Sequence, residues 1–462
     1  MFLSISLITL ILSFFLFKAV AGSLALTKIN LISWIFYYNL IIQSFIASVL
    51  IINNWDNHYI INTLEPEARF YGWVAVQYTM LALPFGMLLA VYLSGLPSNT
   101  AIFHYYISAP IQTTLSPNDS YIRYPLYILS IIAICSVAYT FAMLNTNPLV
   151  AIFSGFDAES LAGLRQDASR QFSGNIYVRN VFAIGLTPIL AYIAFSYWKL
   201  TQSRKDFLWF LLMFVASFFI KTYDLSKAPF VFFILGFLFL YVLIQGGVSK
   251  KLFLFFFCIA LLLIFLAYYL VMDNANLTEL LSYNTGIGGR VFLTQAAGTY
   301  FAFEHFPSSN DFIGFASFSS FISDFLGLPQ SERAARIMMT IFHPSSVEAG
   351  LAGVMNSLFI AEAWANFGLT GVIISPIYVG FIIQLLFLFF LKSRKTPMML
   401  GLFTYFSCSL PITGGINDFV YNAGIIITIA IFTTVYIIGI FLKTIQETEC
   451  ENNFSSPITT QP

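Results

Sequence analysis

Residues 343–371 read HPSSVEAGLAGVMNSLFIAEAWANFGLTG, and they run into VIISPIYVGFIIQLLFLFFL at 372–391, which holds no charged residue. An uncharged run of that length spans the hydrocarbon core of a bilayer as one helix. The question is why His343, Glu348, Asn356, Glu362 and Asn366 stand in and beside it. A carboxylate near the bilayer centre costs roughly 2.5–3.5 kcal/mol on insertion scales, so Glu362 should face a polar cavity or a partner. Asn366 lies one helical turn later on the same face. Two readings follow: Glu362 lines a functional cavity, or it is hydrated at the interface while Asn366 ends a helix before Gly368.

The rest of the chain matches that run. Of 462 residues, 58% are hydrophobic, 18% aromatic and only 9% charged, against roughly 25% charged in soluble proteins. This excludes a soluble globular fold and predicts an all-α polytopic integral membrane protein. Apolar runs of spanning length occupy residues 1–17, 31–52, 71–93, 124–144, 177–197, 207–220, 228–245, 252–272, 370–391, 397–412 and 419–442, or about eleven transmembrane helices (10–12). Residues 352–369 are less uniformly apolar and fit a twelfth span, a re-entrant segment or an interfacial helix. The N-terminal run lacks a basic leader and is followed by Lys18, which suits a retained first helix rather than a cleaved signal.

Three short loops, KLTQSRKD (199–206), GGVSKK (246–251) and KSRKT (392–396), hold eight Lys and Arg against the single acid Asp206. By the positive-inside rule they are cytoplasmic. Alternation then places 53–70, 145–176, 221–227, 273–350 and 413–418 outside, together with most acids, among them Glu65, Glu67, Asp157, Glu159, Asp167 and Asp311. The expected organisation is residues 1–272 as N-terminal membrane helices (about eight spans), 273–350 as one large outer loop, 351–442 as C-terminal membrane helices, and 443–462 as a disordered cytoplasmic tail. Within the outer loop, VFLTQAAGTYFAF and FIGFASFSSFISDFLGL are apolar enough to lie on the bilayer surface as short helices.

Several outer cations are candidate anion ligands, since a guanidinium offers paired donors and stays charged. Arg165 and Arg170 occur in ESLAGLRQDASRQFSGN, with a solvated amphipathic helix as the alternative. Arg179 opens the next helix. Arg290 follows Gly286, Gly288 and Gly289 where a helical pattern starts, which suits either an anion site at bare backbone N–H groups or a simple turn. Arg333 and Arg336 lie in SERAARIM and match no recognisable motif. Lys221, Asp224 and Lys227 share one face at a three-residue spacing and either hold an anionic head group or pair among themselves. His343 precedes Pro344 near Glu348, whereas His58, His104 and His305 suit interfacial positions. The four cysteines show no CxxC spacing, and there is no HExxH, DxD, Walker A or GxGxxG element, so neither a metal nor a nucleotide cofactor is expected.

The run GLAGVMNSLFIAEAWANFGLTGVIISPIYVG resembles the Wzy-type O-antigen and oligosaccharide repeat-unit polymerases at Gly353, Asn356, Ser357, Glu362, Asn366, Phe367, Gly368 and Gly371. Arg290, Pro307 and Gly314 in GGRVFLTQAAGTYFAFEHFPSSNDFIGF, and Lys227 in LSKAPF, are similar to the same family. The resemblance implies a multi-pass protein of the bacterial inner membrane with a periplasmic loop, acting as a glycosyltransferase. It would join undecaprenyl-pyrophosphate-linked oligosaccharides, with a chain-length-regulating membrane protein as candidate partner and no nucleic acid. In that reaction Glu362 or His343 would be the base, while Arg165, Arg170, Arg179, Lys227, Arg290, Asn356 and Asn366 would bind pyrophosphate or glycan. Fixed arginine charges would stand in for a metal ion, in line with the missing DxD pair. The rival expectations are an O-antigen ligase and, in another class, a lipid-linked oligosaccharide flippase or transporter, which would show internal repeats and broken helices.

Overall fold

Backbone that has left water must bond to itself, and in this chain it does so in helices: among the described residues every regular element is helical. The computed structural model describes residues 1–58, 60–96, 99–115, 119–154, 158–271, 286–348, 353–410 and 412–455. In chain order the helices used below are α1 (Phe2–Val20), α2 (Leu31–Ile52), α3 (Pro66–Leu93), α4 (Asn99–Ser108), α5 (Ser120–Ala142), α6 (Ala158–Arg170) and α7 (Val178–Thr201). They continue with α8 (Arg204–Thr222), α9 (Lys227–Gln245), α10 (Lys250–Val271), α11 (Ile287–Phe292), α12 (Thr294–His305), α13 (Ser320–Phe325), α14 (Ala334–Phe342), α15 (Ile360–Lys392), α16 (Pro397–Ser409) and α17 (Ala423–Ser455).

Eight segments among the described residues are long and apolar enough to cross a membrane: α1, α2, α3, α5, α7, Ala228–Gln245, α15 and Asn417–Thr448. The protein is a multi-pass helical membrane protein. The other three apolar runs form α8, α10 and α16. α8 carries Arg204, Lys205, Asp206 and Lys221, and the 13 residues of α16 rise only about 20 Å. α16 is instead a short inner helix packed on α7 and α9, with Gly401 against the Ile193 side chain.

Several helix hydroxyls return to their own helices. Ser130 donates to the Leu126 carbonyl at 2.8 Å, Ser196 to Tyr192 at 2.8 Å and Ser217 to Met213 at 2.7 Å. α3 and α15 form the most extensive helix pair, and small residues allow it: Gly86 lies on the Ile377 carbonyl and Gly380 on the Leu83 carbonyl, where any side chain would collide with backbone. α1 is tied to α3 by Ser13 Oγ donating to Met80 O (2.8 Å) and Trp73 Nε1 donating to Ser6 Oγ (3.0 Å). Two spans contain long π-helical stretches, Ile35–Phe45 in α2 and Val178–Leu186 in α7, a form usually limited to single turns.

The molecule has two unlike ends. At the basic end each of the three Lys/Arg-rich loops is tied to a neighbouring segment. Lys395 Nζ donates to the Ile107 and Ala109 carbonyls at 3.1 and 2.6 Å, closing the last turn of α4, and Arg394 reaches the Thr113 and Thr114 carbonyls at 3.3 Å. Val248 N–H donates to Thr27 O (2.9 Å), Tyr197 Oη to Asp119 (2.8 Å), and Arg123 pairs with Asp206 (3.4 Å). The opposite end, here the clasp end, holds the segments expected outside.

Several expectations need correction. VFLTQAAGTYFAF does not lie on a surface: residues Ala296–Phe303 of α12 are buried, Gly298 approaches the Asn356 carbonyl, and Tyr300 packs on Gly72. Its small residues let backbones meet, so the stretch joins the helical body rather than an outer layer. Residues 353–359 carry no regular structure, and α15 starts at Ile360 and breaks at Gly368 (φ 56°, ψ −139°), a left-handed position that favours glycine. Of the 352–369 stretch, residues 353–369 are thus an irregular lead-in followed by a half-helix that breaks at Gly368, and residue 352 lies outside the described ones. The tail is helical through Ser455, and residues 456–462 lie outside the described ones, as does Asp157.

Candidate functional site

Glu362 lies in the first turn of α15, where a carboxylate is favoured by the helix dipole. It is 2% exposed, so hydration does not stabilise it. Its partner is Arg333, the residue just before α14: Nε donates to Oε1 at 2.7 Å and Nη2 to Oε2 at 3.0 Å. The same guanidinium grips Asp418 from its other side, Nη1 to Oδ1 and Nη2 to Oδ2, both at 3.0 Å. Burial works against the Arg333 charge, but hydrogen bonds and the opposite charges of Glu362 and Asp418 outweigh it and hold the guanidinium above its ordinary pKa.

Amides complete the arrangement. Asn417 N–H donates to Glu362 Oε2 (3.1 Å), Asn366 Nδ2 to Asn417 Oδ1 (3.2 Å), Ser317 Oγ to Asn366 Oδ1 (2.9 Å), and Asn417 Nδ2 to Ser317 O (2.8 Å). Four segments far apart in sequence meet here, and the polar groups named are satisfied, as a desolvated network requires. Gly415 is part of the fit, since a side chain there would run into Glu362 Oε2 and Arg333 Nη2.

Glu362 and Asn366 therefore share a face as their spacing predicts, and both are in the clasp. Glu362 is arranged as a fixed counter-charge. Its oxygens hold Arg333 and a backbone N–H, so acting as a base would require Arg333 to release it. His343 is not brought to it: it sits at the far end of α14, about 15 Å of helical rise from Arg333, half-buried and with no side-chain hydrogen bond among the described residues.

A second group of arginines gathers at Gly353. Arg336 Nη1 donates to the Gly353 carbonyl at 2.8 Å. Arg170 Nη2 lies 3.0 Å from the point a Gly353 side chain would occupy. Partial desolvation and the like charges of Arg336 and Arg165 push the Arg170 guanidinium below its ordinary pKa. Arg170, an exposed residue of α6, is thus brought to the irregular lead-in of α15 beside Arg336 of α14, with Arg165 within electrostatic reach of it.

Arg179 is not in this group. It is buried, its Nη1 donates to the Ala168 and Ser169 carbonyls at 3.0 and 2.8 Å, and it lies over the Phe172 ring at 4.7 Å. Its role is to close the C-terminal turn of α6, which sets where Arg170 points. Arg290 is exposed on α11, which does start at the glycines and packs on the π-helical part of α2. Asn356 Nδ2 donates to Gln295 (3.0 Å), and its carbonyl accepts the Gly298 N–H. Lys221 donates to the Ile184 carbonyl (3.0 Å) and Asp224 accepts from the Ser226 N–H (3.0 Å); the Lys227 side chain lies outside the described ones.

Sequence reasoning did not single out Ser317, Gly415, Asn417 and Asp418, and it left Arg333 and Arg336 unassigned. One signal was present: Asp418 is the lone acid between Glu362 and Glu447, so a buried Glu362 seeking a charged network had few other candidates in that region. No protein-family model, curated protein or solved structure matches the chain.

Proposed function

We propose that the protein is a glycosyltransferase that joins lipid-pyrophosphate-linked oligosaccharide units into a polysaccharide, working at the outer face of a bacterial inner membrane. The observation that carries this reading is the meeting of Arg170 and Arg336 at Gly353 with Arg165 beside them, at the end of the molecule away from the basic loops. Guanidinium groups crowded against one another favour a polyanion, and paired N–H donors suit phosphate oxygens.

In the proposed reaction a sugar hydroxyl of the incoming unit attacks the anomeric carbon of the growing chain. The bond to the pyrophosphate oxygen breaks, and the lipid pyrophosphate leaves with the electron pair. The arginines stabilise the charge that develops on that oxygen. The hydroxyl proton passes to a base: His343, or Glu362 once Arg333 has let go. Arg179 positions Arg170, and the clasp fixes the lead-in of α15 against which Arg170 and Arg336 lie.

A ligase would use the same donor and a different acceptor. A transporter or flippase is favoured by one observation, the break of α15 at Gly368, since interrupted helices line many transport sites. A deletion strain separates the three. Lipid capped by single repeat units supports the polymerase, full-length but unligated polymer supports the ligase, and lipid-linked units stranded on the cytoplasmic leaflet support the flippase. In proteoliposomes given purified lipid-linked repeat units, the polymerase reading expects chain elongation, and its absence from active protein rejects the reading.

A further inference from the structure

Of the two apolar stretches in the 273–350 region, α12 is buried, but much of 312–328 is exposed. From Phe312 to Ser323 the chain carries no charge, and Asp311 and Asp324 bracket it. It nevertheless presents large apolar side chains outward: Phe321 is 68% exposed, Phe325 83%, and Phe312, Phe315, Leu326 and Leu328 are also exposed. A patch of this kind has a partner.

The segment is held in one place by its inner side. Ile313 N–H donates to the Ala365 carbonyl at 2.9 Å, the Phe312 ring lies on Gly368, and the Phe315 ring is 4.9 Å from that of Phe367. Phe321 stacks on Tyr421 with centroids 5.9 Å apart. Both anchor points continue directly into membrane helices whose outward faces are apolar: Leu369 (66% exposed), Ile373 and Ile374 on α15, and Ile426 and Ile429 on α17. The exposed patch therefore extends the surface those helices present to lipid. A soluble partner or a second copy would have to dock on the rim of the lipid belt itself.

We infer that residues 312–328 form a wedge at the clasp end whose apolar side chains, Phe321 and Phe325 foremost, enter the acyl region of the leaflet, with Asp324 at its polar boundary. Ser317 lies within the wedge and donates to Asn366 while its carbonyl accepts from Asn417. The leaflet thus presses the wedge onto the clasp, and lipid contact is one of the forces that keep Arg333 beside Glu362. This does not depend on the catalytic reading.

The test places a photoreactive benzoyl-phenylalanine singly at positions 321 and 325 of the full chain in lipid nanodiscs, with Leu369 as lipid-facing control and Glu332 as water-facing control. After irradiation, mass spectrometry identifies the adducts. The expected result is lipid adducts at 321 and 325 at a yield within about twofold of the Leu369 control. Adducts to a second copy, adducts within the same chain at 325, or a lipid yield as low as at Glu332 would each overturn the wedge; at 321 an adduct to the stacked Tyr421 is counted apart. Two positions are used so that one poorly folding variant does not decide the outcome.

Discussion

Arg333 and Arg336 stand one helical turn apart at the start of α14 and have opposite surroundings. Arg333 is gripped by two carboxylates, whereas Arg336 reaches a backbone carbonyl and adds its charge to that of Arg170. The first arrangement is closed: charge meets opposite charge, and the guanidinium has little left to offer an incoming anion. The second gathers like charges, and an anion relieves cations set side by side. A single short helix thus has one arginine tied into an ion-pair network at its start and, in the proposed function, an anion-binding arginine one turn later.

The sharpest way to break the contrast is to remove Arg333. Arg333→Ala leaves Glu362 buried without its counter-charge and should lower unfolding stability by about 3 kcal/mol, read as a fall in thermal midpoint in detergent. The companion Glu362→Gln should lose less, since no charge is stranded out of water. Equal losses would argue against the ion pair as the source. Next in size is Gly415→Ala, whose methyl group would push into the clasp; overpacking of this kind costs about 2 kcal/mol. The same assay checks it, and an unchanged midpoint would mean that the loop yields.

The like-charged arrangement should behave differently. Arg170→Ala with Arg336→Ala should lower the midpoint less than Arg333→Ala does and weaken binding of inorganic pyrophosphate roughly tenfold, measured by calorimetry on the detergent-solubilised protein. Undiminished binding would remove these arginines from the proposed reaction.

The smallest effect extends the comparison to the basic end. Burial pushes the Lys395 ammonium down from its usual 10.5 to about 8. Between these values the unfolded chain binds more protons than the folded one, so this group makes stability rise as pH increases from about 8 towards 10.5. Lys395→Met should flatten that part of the midpoint-versus-pH curve, and a curve of the same slope would show that other groups produce it.

How much of this was legible follows from how local each signal is. The spans were legible because each is one uninterrupted apolar run. The Glu362–Asn366 pair was legible because helical periodicity brings residues four apart to one face. The basic loops were legible as loops, although not the way Lys395 closes α4. Arg333 was opaque because its partners lie 29 and 85 residues away. The fate of α12 was misread because hydropathy does not separate a helix lying on lipid from one buried in protein. The distinguishing signal was size, in the run Ala296, Ala297 and Gly298 and in Ala302, rather than polarity. The contacts of Arg179 were opaque because a guanidinium serves a helix end as readily as a ligand.

The crossing of α3 and α15 at Gly86 and Gly380 has a mechanical corollary. With carbonyls pressed on glycine Cα atoms from both sides, the two rods are in effect welded below Gly368, and the lower shaft of α15 has no play. Only the eight residues above the break, Ile360–Phe367, are hung like a latch arm on that post. A movement of Ile360–Phe367 that parts Glu362 from Arg333 therefore turns at Gly368 and leaves the post standing.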